Sequence, residues 1–329
     1  MSEAEQPAQA DTNTRVGRVL ITGGAGFVGT NLVSRLVELD LADHIRVIDN
    51  ESLGHRSALD GFDVEFLAGD IRDEDAMRGA LDGMDAVVHL AAHTRVLESI
   101  EDPQGTFDNN VLATHQMLML MRELNVPSIV NASTGGAIIG EIDPPVHEEM
   151  VPRPMSPYGA SKLAIEGYLG AFAASYGIKA ASLRFANVYG PLSFHKGSVV
   201  ATYLRAVLQK QPLVVYGDGS QTRDYVYSAD LCDGIVAAIT RGAVGTYQLG
   251  SGKPTSINEL ISIIENTVGA ERMPGVRYEN FRDGEVRYTY CDVSKARRVL
   301  GYDPSTELPE GMQEAWAWFD ARPVGANVN

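Results

Sequence analysis

Tyr158 and Lys162 are the residues whose types and spacing most directly suggest chemistry. They lie four residues apart and follow Pro157, which suits the start of a helix, so both side chains fall on one helical face. A free tyrosine has a pKa near ~10, too high for a base at neutral pH. A neighbouring lysine ammonium favours the phenolate and lowers that pKa. The pair therefore predicts a tyrosine that moves a proton.

A glycine-rich loop offers a place for a phosphorylated partner of this pair. Gly23, Gly26 and Gly29 follow a predicted strand and open a predicted helix, with Phe27 and Val28 at its first turn. Glycines at this spacing permit a tight turn and let a pyrophosphate approach backbone N–H groups. The pattern predicts a dinucleotide site.

Asp49 gives this prediction its second support. It ends the next predicted strand, 20 residues after Gly29. A carboxylate there can accept both hydroxyls of an adenosine ribose and would repel a 2′-phosphate. NAD is therefore favoured over NADP, although the nearby cations Arg46 and Arg56 keep NADP open.

Further residues at strand ends are expected to line the same crevice. They share a position at the carboxyl ends of parallel strands, where ligands of such sheets bind. The set is Asn50, Asp70, Ile71, Leu90, Ala91 and Ala92.

The elements that must position these residues alternate between strand and helix. Apolar runs without clean alternation are typical of strands covered on both faces; they lie at 18–22, 44–48, 64–68, 86–91, 128–131 and 180–183. The helix-like stretches between them are 27–39, 73–81, 103–124 and 158–176. Strands separated by helices imply parallel pairing and right-handed crossovers. The fold class is therefore α/β, a Rossmann-like doubly wound parallel sheet.

The composition of the sequence changes after residue 187, where glycine and proline become more frequent and the predicted helices and strands become shorter. Helices are predicted near 199–208, 229–239, 257–268 and 309–319. We expect a polar, disordered tail at 1–15, a Rossmann domain at 16–187 and a smaller, mixed C-terminal substrate-binding lobe at 188–329. Whether some segments of that lobe return to the sheet stays open.

Composition excludes several classes of protein. The 329 residues carry 27 Lys plus Arg against 43 Asp plus Glu, a formal charge of −16, which argues against a nucleic-acid partner. No apolar run reaches the ~18–20 residues of a membrane helix, and the polar beginning is not a secretory signal. Two separate cysteines, Cys232 and Cys291, predict neither a disulfide framework nor a metal site. We expect a cytoplasmic protein.

Together these motifs carry a resemblance. The glycine loop Thr22–Gly29, the strand ends at 69–71 and 90–92, Ser133-Thr134 and the Tyr158/Lys162 pair resemble the extended short-chain dehydrogenase/reductases. More narrowly, the chain is similar to the NAD-dependent nucleotide-sugar epimerases and dehydratases of the UDP-galactose 4-epimerase type. The resemblance runs from about residue 18 to 318.

The resemblance implies roles for single residues. Tyr158 matches the family's catalytic base and Lys162 its partner, while Ser133 or Thr134 matches the hydroxyl that orders the sugar 4-hydroxyl. The usual slot of that hydroxyl is Gly135 here, so the role must shift, and Thr134 is preferred because it lies one residue nearer. Asn110 is expected to be an internal polar anchor on the cofactor side, with a purely structural role open.

The same segment distinguishes between reactions. Similar dehydratases and decarboxylases place Asp or Glu just after the threonine, whereas Gly135 and Gly136 stand here. The resemblance then implies reversible hydride transfer at C4 with tightly bound NAD, which is epimerisation. A dehydratase or decarboxylase, a net oxidoreductase that releases NADH and a non-catalytic NAD-binding protein are the alternatives.

The substrate implied is a UDP-sugar. The residues that match the family's substrate contacts are Asn187, Val199, Val200, Tyr216, Arg223 and Arg282. Guanidinium groups suit phosphate oxygens, so Arg223 and Arg282 are assigned to the diphosphate, Tyr216 to packing on uracil, and the two valines to lining the base.

The hexose is the least determined part of the substrate. Leu192 follows Gly190-Pro191 where related uronate epimerases often have Arg, which favours UDP-glucose and UDP-galactose. His195 and Lys196 could serve a carboxylate and keep UDP-glucuronate and UDP-galacturonate as the alternative; N-acetylhexosamines stay open. The helices at 103–124 and 158–176 correspond to those that form a dimer interface in similar enzymes, so a homodimer is expected.

Overall fold

A computed structural model describes residues 15–281 and 287–322. Its strands are β1 Gly17–Thr22, β2 Ala42–Asp49, β3 Glu65–Ala68, β4 Ala86–His89, β5 Ser128–Thr134, β6 Lys179–Phe185, β7 Asn187–Tyr189, β8 Leu213–Tyr216, β9 Thr222–Tyr227, β10 Gly245–Leu249, β11 Pro254–Ser256 and β12 Val276–Glu279. The six strands predicted from apolar runs correspond to β1 to β6.

The helices agree equally well with the predicted stretches. They are α1 Phe27–Glu38, α2 Glu74–Leu81, α3 Val96–Glu101, α4 Pro103–Thr106, α5 Ala113–Glu123, α6 Gly136–Ile139, α7 Pro157–Tyr176, α8 Val199–Leu208, α9 Ser228–Thr240, α10 Ile257–Val268, α11 Ser294–Leu300 and α12 Leu308–Asp320. The stretch predicted as one helix at 103–124 is α4 and α5 joined by a π-helical segment, Phe107–Leu112. No helix of the described residues is long and apolar enough to cross a membrane.

Seven strands form the central sheet in the order β10-β6-β5-β4-β1-β2-β3. Every neighbouring pair is parallel, which confirms the predicted doubly wound sheet. Because the strands run in one direction, the carboxyl ends of β1 to β5 lie at the same edge, and most of the predicted cofactor residues lie at those ends.

The sheet is covered on both faces, as its apolar strands require. Alternate residues of β1 enter two different cores: Val19 and Ile21 pack with α1 and α9, whereas Leu20 packs with α2, α5 and α7. A third core belongs to the C-terminal segments and contains residues of α8, α10 and α12.

Part of the chain after residue 187 returns to the sheet. β10 pairs with β6 along its whole length, from Gly245↔Ala181 to Leu249↔Phe185, and α9 packs on α1. Two small sheets, β11-β9-β7 and β12-β8, build the remaining lobe. Of the predicted tail, Arg15 bonds Asp43 at 2.6 Å, and residues 1–14 lie outside the described part.

Candidate active site

The glycine loop lies between the end of β1 and the start of α1. Gly23 has φ +68°, and a Cβ there would lie 2.8 Å from the backbone nitrogen of Ala91. A Cβ on Gly29 would lie 2.5 Å from Cα of Gly24. The residue before α1 is Gly26, so the backbone N–H groups of the first turn, which includes Phe27 and Val28, have no side-chain cap. These backbone N–H groups form a cradle that suits a pyrophosphate.

Asp49 closes one side of this cradle. Its carboxylate accepts hydrogen bonds from the backbone N–H groups of Ala25 (3.0 Å) and Glu51 (2.8 Å). Burial raises the pKa of Asp49, although these two bonds lower it. Each oxygen keeps a lone pair for a ribose hydroxyl, so the residue fits the predicted contact with NAD.

Asn50 and Asp70 stand side by side at the ends of β2 and β3. The amide of Asn50 donates to the Asp70 carboxylate over 3.0 Å. The guanidinium of Arg72 holds the pKa of Asp70 well below its usual range, so this carboxylate stays charged. Ile71 is buried in the core beneath it.

The opposite wall follows β4, where Leu90, Ala91 and Ala92 are half-buried. Beneath it His89 bonds Thr22 (Nδ1 to Oγ1, 2.7 Å) and Thr114 (Nε2 to Oγ1, 2.9 Å). Burial, and to a smaller extent the charge of Lys162, lower the pKa of His89 to about 3. The imidazole is therefore neutral and serves as a rigid brace between β1, β4 and α5.

Asn110 is fully buried in the π-helical segment. Its side-chain oxygen accepts from the N–H of His93 (2.8 Å), and its amide donates to the carbonyl of His93 (2.9 Å) and to Oγ of Ser161 (3.0 Å). These bonds connect the loop after β4 with α7. A positioning role for Asn110 follows, because these contacts are all internal.

Tyr158, Lys162 and Thr134 meet where α7 crosses the end of β5. Ser156 caps α7 through the N–H of Gly159 (3.1 Å) and Pro157 occupies its first turn, which fixes where the tyrosine emerges. The Thr134 hydroxyl lies close enough to the Tyr158 phenol to lower its pKa. The ammonium of Lys162 donates to the carbonyl of Ala132 over 2.8 Å.

Burial opposes the charged form of both catalytic side chains. It raises the pKa of Tyr158 to about 12, against a lowering by the Thr134 contact. It lowers the pKa of Lys162 to about 8, so the ammonium is present below that pH and lost above it. Tyr158 therefore needs an additional positive charge nearby to become a phenolate, which a bound nicotinamide ring supplies.

Ser133 does not join this group. Its hydroxyl donates to the Glu166 carboxylate over 2.6 Å, and Glu166 also accepts two bonds from Arg184 (2.9 and 2.7 Å). Since neighbouring residues of a strand face opposite sides, Thr134 alone of the two reaches Tyr158. Glu166 was missed from sequence, although its place four residues after Lys162 signals the same helix face.

The predicted substrate residues belong to the C-terminal segments. Asn187 begins β7 opposite Tyr225, and the Arg223 guanidinium on β9 donates to the carbonyls of Thr222 (2.8 Å) and Arg287 (3.2 Å). Tyr216 ends β8 and is half-buried. Arg282 lies outside the described residues.

The two valines at the start of α8 differ in environment. Val200 is 1% exposed and belongs to the core of the C-terminal lobe, whereas Val199 is half-buried at its margin. Val199 is therefore the better placed of the two to line a base.

The profile of the NAD-dependent epimerase/dehydratase family matches residues 19–250. A putative UDP-glucose 4-epimerase of Methanocaldococcus jannaschii is 37% identical over 306 residues, covering 92% of this chain and 98% of the relative. A UDP-glucuronate 4-epimerase of Thermodesulfobacterium geofontis is 31% identical over 323 residues, with 92% and 96% covered.

Among solved structures, the chain is similar to a UDP-glucose 4-epimerase of Thermotoga maritima crystallised with UDP-glucose. The TM-score is 0.86 at 34% identity, and the match covers 92% of this chain and 98% of that one. The likeness therefore extends beyond the cofactor-binding half to the lobe that carries Asn187 and Arg223.

We predict that Gly26→Val abolishes dinucleotide binding while the protein still folds. A Cβ on Gly26 has only the carbonyl of Gly23 close by, at 3.2 Å, so the larger side chain projects chiefly into the cradle. Binding is measured by fluorescence or calorimetry with added NAD, and folding by circular dichroism. Gly79→Ala is the control: nothing lies within 4 Å of its Cβ, and NAD affinity should not change. Undiminished affinity in Gly26→Val would contradict this site.

Proposed function

The chain belongs to the NAD-dependent epimerase/dehydratase family, and on that premise we propose that it is an NAD-dependent UDP-sugar 4-epimerase acting on UDP-glucose and UDP-galactose. NAD is the cofactor that this family uses, and the glycine cradle together with Asp49 fits it. A relative and a structural neighbour that are named as UDP-glucose 4-epimerases match nearly the whole chain.

One observation carries the choice of reaction. Thr134 reaches the Tyr158 hydroxyl, and Gly135 and Gly136 follow it where a dehydratase or decarboxylase would need a carboxylate. The Glu166 carboxylate is bound by Ser133 and Arg184. The trio of Tyr158, Lys162 and Thr134 can thus move the proton of a hydroxyl, while the two positions after Thr134 carry no acid for eliminating water.

When bound, NAD supplies a hydride acceptor for C4 of the sugar and later the donor. Tyr158, as phenolate, takes the proton of the 4-hydroxyl and returns it once the sugar has turned. Thr134 orients that hydroxyl and donates toward the phenolate. Lys162 stabilises the phenolate by its charge. Proton and hydride both return to the sugar, so there is no net oxidation.

The sugar must turn while its nucleotide stays fixed, so the binding residues belong on the nucleotide. We assign Arg223 to the diphosphate, because a guanidinium suits phosphate oxygens, and Asn187 to the same group. Tyr216 and Val199 are assigned to the uracil. Arg282, outside the described residues, is kept as the second diphosphate arginine.

A uronate is the second candidate sugar, and Lys196 favours it. Its ammonium donates to the carbonyl of Val188 (3.1 Å) and lies 4.9 Å from the ring centre of Phe27. Within residues 15–281 and 287–322, no carboxylate is within ion-pair distance of it. Burial lowers the pKa of Lys196 to about 8, so the ammonium is still present at neutral pH, and a substrate carboxylate beside it would stabilise its charged form.

We predict that Tyr158→Phe lowers kcat by about 10²- to 10⁴-fold, the usual range for a lost acid–base group. Thr134→Val should lower it by about 10- to 100-fold, since a hydrogen bond to a charged group contributes about 1.5–3 kcal/mol. NMR of the anomeric and H4 signals of UDP-sugars measures the exchange.

The same assay distinguishes the sugars. UDP-glucose and UDP-galactose should interconvert, and Lys196→Met should leave their rates within about threefold. Exchange limited to UDP-glucuronate and UDP-galacturonate, and lost in Lys196→Met, would replace the neutral hexose by the uronate. Stoichiometric release of NADH would overturn epimerisation itself.

We further propose that the protein is a homodimer. The outer faces of the π-helical segment, α5 and α7 carry apolar and aromatic side chains that are 42–50% exposed to solvent: Phe107, Leu112, Met119, Tyr168 and Tyr176. His115 packs edge-on against Tyr168, with ring centres 5.1 Å apart. A second copy of the same face would cover this surface.

Tyr168→Glu is predicted to convert the dimer to a monomer, because a carboxylate is costly to bury in an apolar interface. Light scattering over a dilution series measures the mass. Val299→Glu is the control, since Val299 on α11 is 42% exposed and lies away from this face. A wild-type protein that is monomeric throughout would contradict the proposal.

A cytoplasmic location remains a prediction. Cys232 and Cys291 are both buried free thiols, as is usual in a reducing compartment.

A further inference from the structure

Glu166 lies on the same face of α7 as the catalytic pair. Tyr158, Lys162 and Glu166 follow each other at intervals of four residues, about one helical turn each. The carboxylate is therefore one turn from the catalytic ammonium and two turns from the phenol, on the side away from solvent: only 7% of the Glu166 side chain is exposed.

Three hydrogen bonds hold this carboxylate in place. Ser133 donates to one oxygen over 2.6 Å. Arg184 donates to both oxygens, over 2.9 and 2.7 Å, and only 4% of its side chain is exposed. A bidentate guanidinium pair fixes orientation as well as distance. Glu166 thus joins α7 to the ends of both β5 and β6.

The anchored strand end is the one that carries the catalytic threonine. Ser133 and Thr134 are consecutive on β5, and in the sheet they pair with Arg184 and Phe185 of β6. Because the two residues are adjacent, fixing the Ser133 side chain also fixes the position of the Thr134 hydroxyl. Glu166 therefore bears on the Thr134–Tyr158 contact without touching it.

The carboxylate is also the nearby negative charge that bears on Lys162. Among the described residues, Glu166 acts on Lys162 from its own helix and Lys162 acts on His89 of β4; Tyr158 lies one turn earlier on α7, and Arg184 of β6 is hydrogen-bonded to Glu166. His89 is neutral and Tyr158 carries no charge before it ionises. The charge of Glu166 raises the pKa of Lys162, against the lowering by burial.

We propose that Glu166 is a positioning residue of this active site, which keeps Lys162 protonated and holds the β5 end that presents Thr134, without touching substrate or cofactor. The proposal builds on the function given above for Tyr158 and Lys162. It also explains why a serine precedes the catalytic threonine: the Ser133 hydroxyl is the group through which Glu166 holds the end of β5.

The charge role is tested by titrating Lys162 itself in the NAD-loaded protein. The chain has few lysines (Lys162, Lys179, Lys196, Lys210, Lys253 and Lys295), so ¹⁵N-lysine NMR can follow each ammonium, with Lys162→Met for assignment. In Glu166→Gln the pKa of Lys162 should fall by about one unit, because an adjacent opposite charge is lost. An unchanged pKa would overturn the charge role.

The pH profile of kcat supplies a second readout. Since catalysis needs protonated Lys162, the alkaline limb of the kcat profile should move to lower pH in Glu166→Gln, by an amount similar to the fall in the pKa of Lys162. Asp233→Asn is the matched control: it breaks the Arg35–Asp233 pair (2.6 Å) between α1 and α9, away from Lys162, so stability falls and the limb stays. A shift of equal size in the control would mean that destabilisation alone moves the profile, and would overturn the role.

Glu166→Gln leaves the buried Arg184 without its partner, which is strongly destabilising. If that variant does not fold, the double variant Glu166→Gln with Arg184→Met removes both charges, and a smaller downward shift of the Lys162 pKa is expected in it, because the nearer of the two charges is the carboxylate. No shift there overturns the charge role.

Ser133→Ala separates the strand-end role from the charge. It removes one hydrogen bond and keeps the Glu166–Arg184 pair, so the pKa of Lys162 should not move while kcat falls about fivefold at unchanged KM, equivalent to one ordinary hydrogen bond. Unaltered kcat would overturn the strand-end role. If the wild type turns over no UDP-sugar, the proposed function fails, and the NMR titration still decides the charge role.

Discussion

The burial of Tyr158 and Lys162 is the constraint on which the rest of the site depends. Removing a phenol and an ammonium from water shifts both pKa values away from what catalysis needs, upward to about 12 for Tyr158 and downward to about 8 for Lys162. Each charge must then be restored by a placed partner. The proposed partners are Thr134 at the end of β5, Glu166 on α7 and the positive ring of the cofactor.

The parallel sheet is what allows these partners to meet. All seven strands point the same way, so the turns after β1, β2, β4 and β5 open at one edge. The cradle needs backbone without side chains, which explains Gly23 and Gly29. The walls need neutral or satisfied polar groups, which explains the braced His89 and the internally bonded Asn110. Side chains that are held by such bonds do not have to be ordered again at each turnover.

A net charge of −16 is compatible with a substrate that carries a diphosphate, because the ligand interacts mainly with the charges nearest its binding site. Many arginines are committed to carboxylates, as Arg35 is to Asp233 and Arg184 to Glu166. Binding of a diphosphate depends on backbone N–H groups at a helix start and on guanidinium groups at the binding site, and the net charge of the whole chain does not decide it.

The sequence by itself determined the parts that depend on short-range pattern. The glycine loop, Asp49, the Tyr158/Lys162 spacing and the six strands β1 to β6 follow from local propensity and periodicity, and the boundaries agree to within a few residues. The π-helical segment inside the predicted helix at 103–124 has no such local signal. Neither does β10, a short edge strand that starts at a glycine and whose partner β6 lies far away in the chain.

Only the tertiary structure decided which of Ser133 and Thr134 lies beside Tyr158, and that Glu166 binds Ser133 and Arg184. Strand alternation requires the two hydroxyls to face opposite sides, but which side meets Tyr158 depends on how α7 crosses β5. The partner of Glu166 depends on β6 being the neighbour of β5. Such contacts join residues distant in sequence, so they exist only once the sheet order is set.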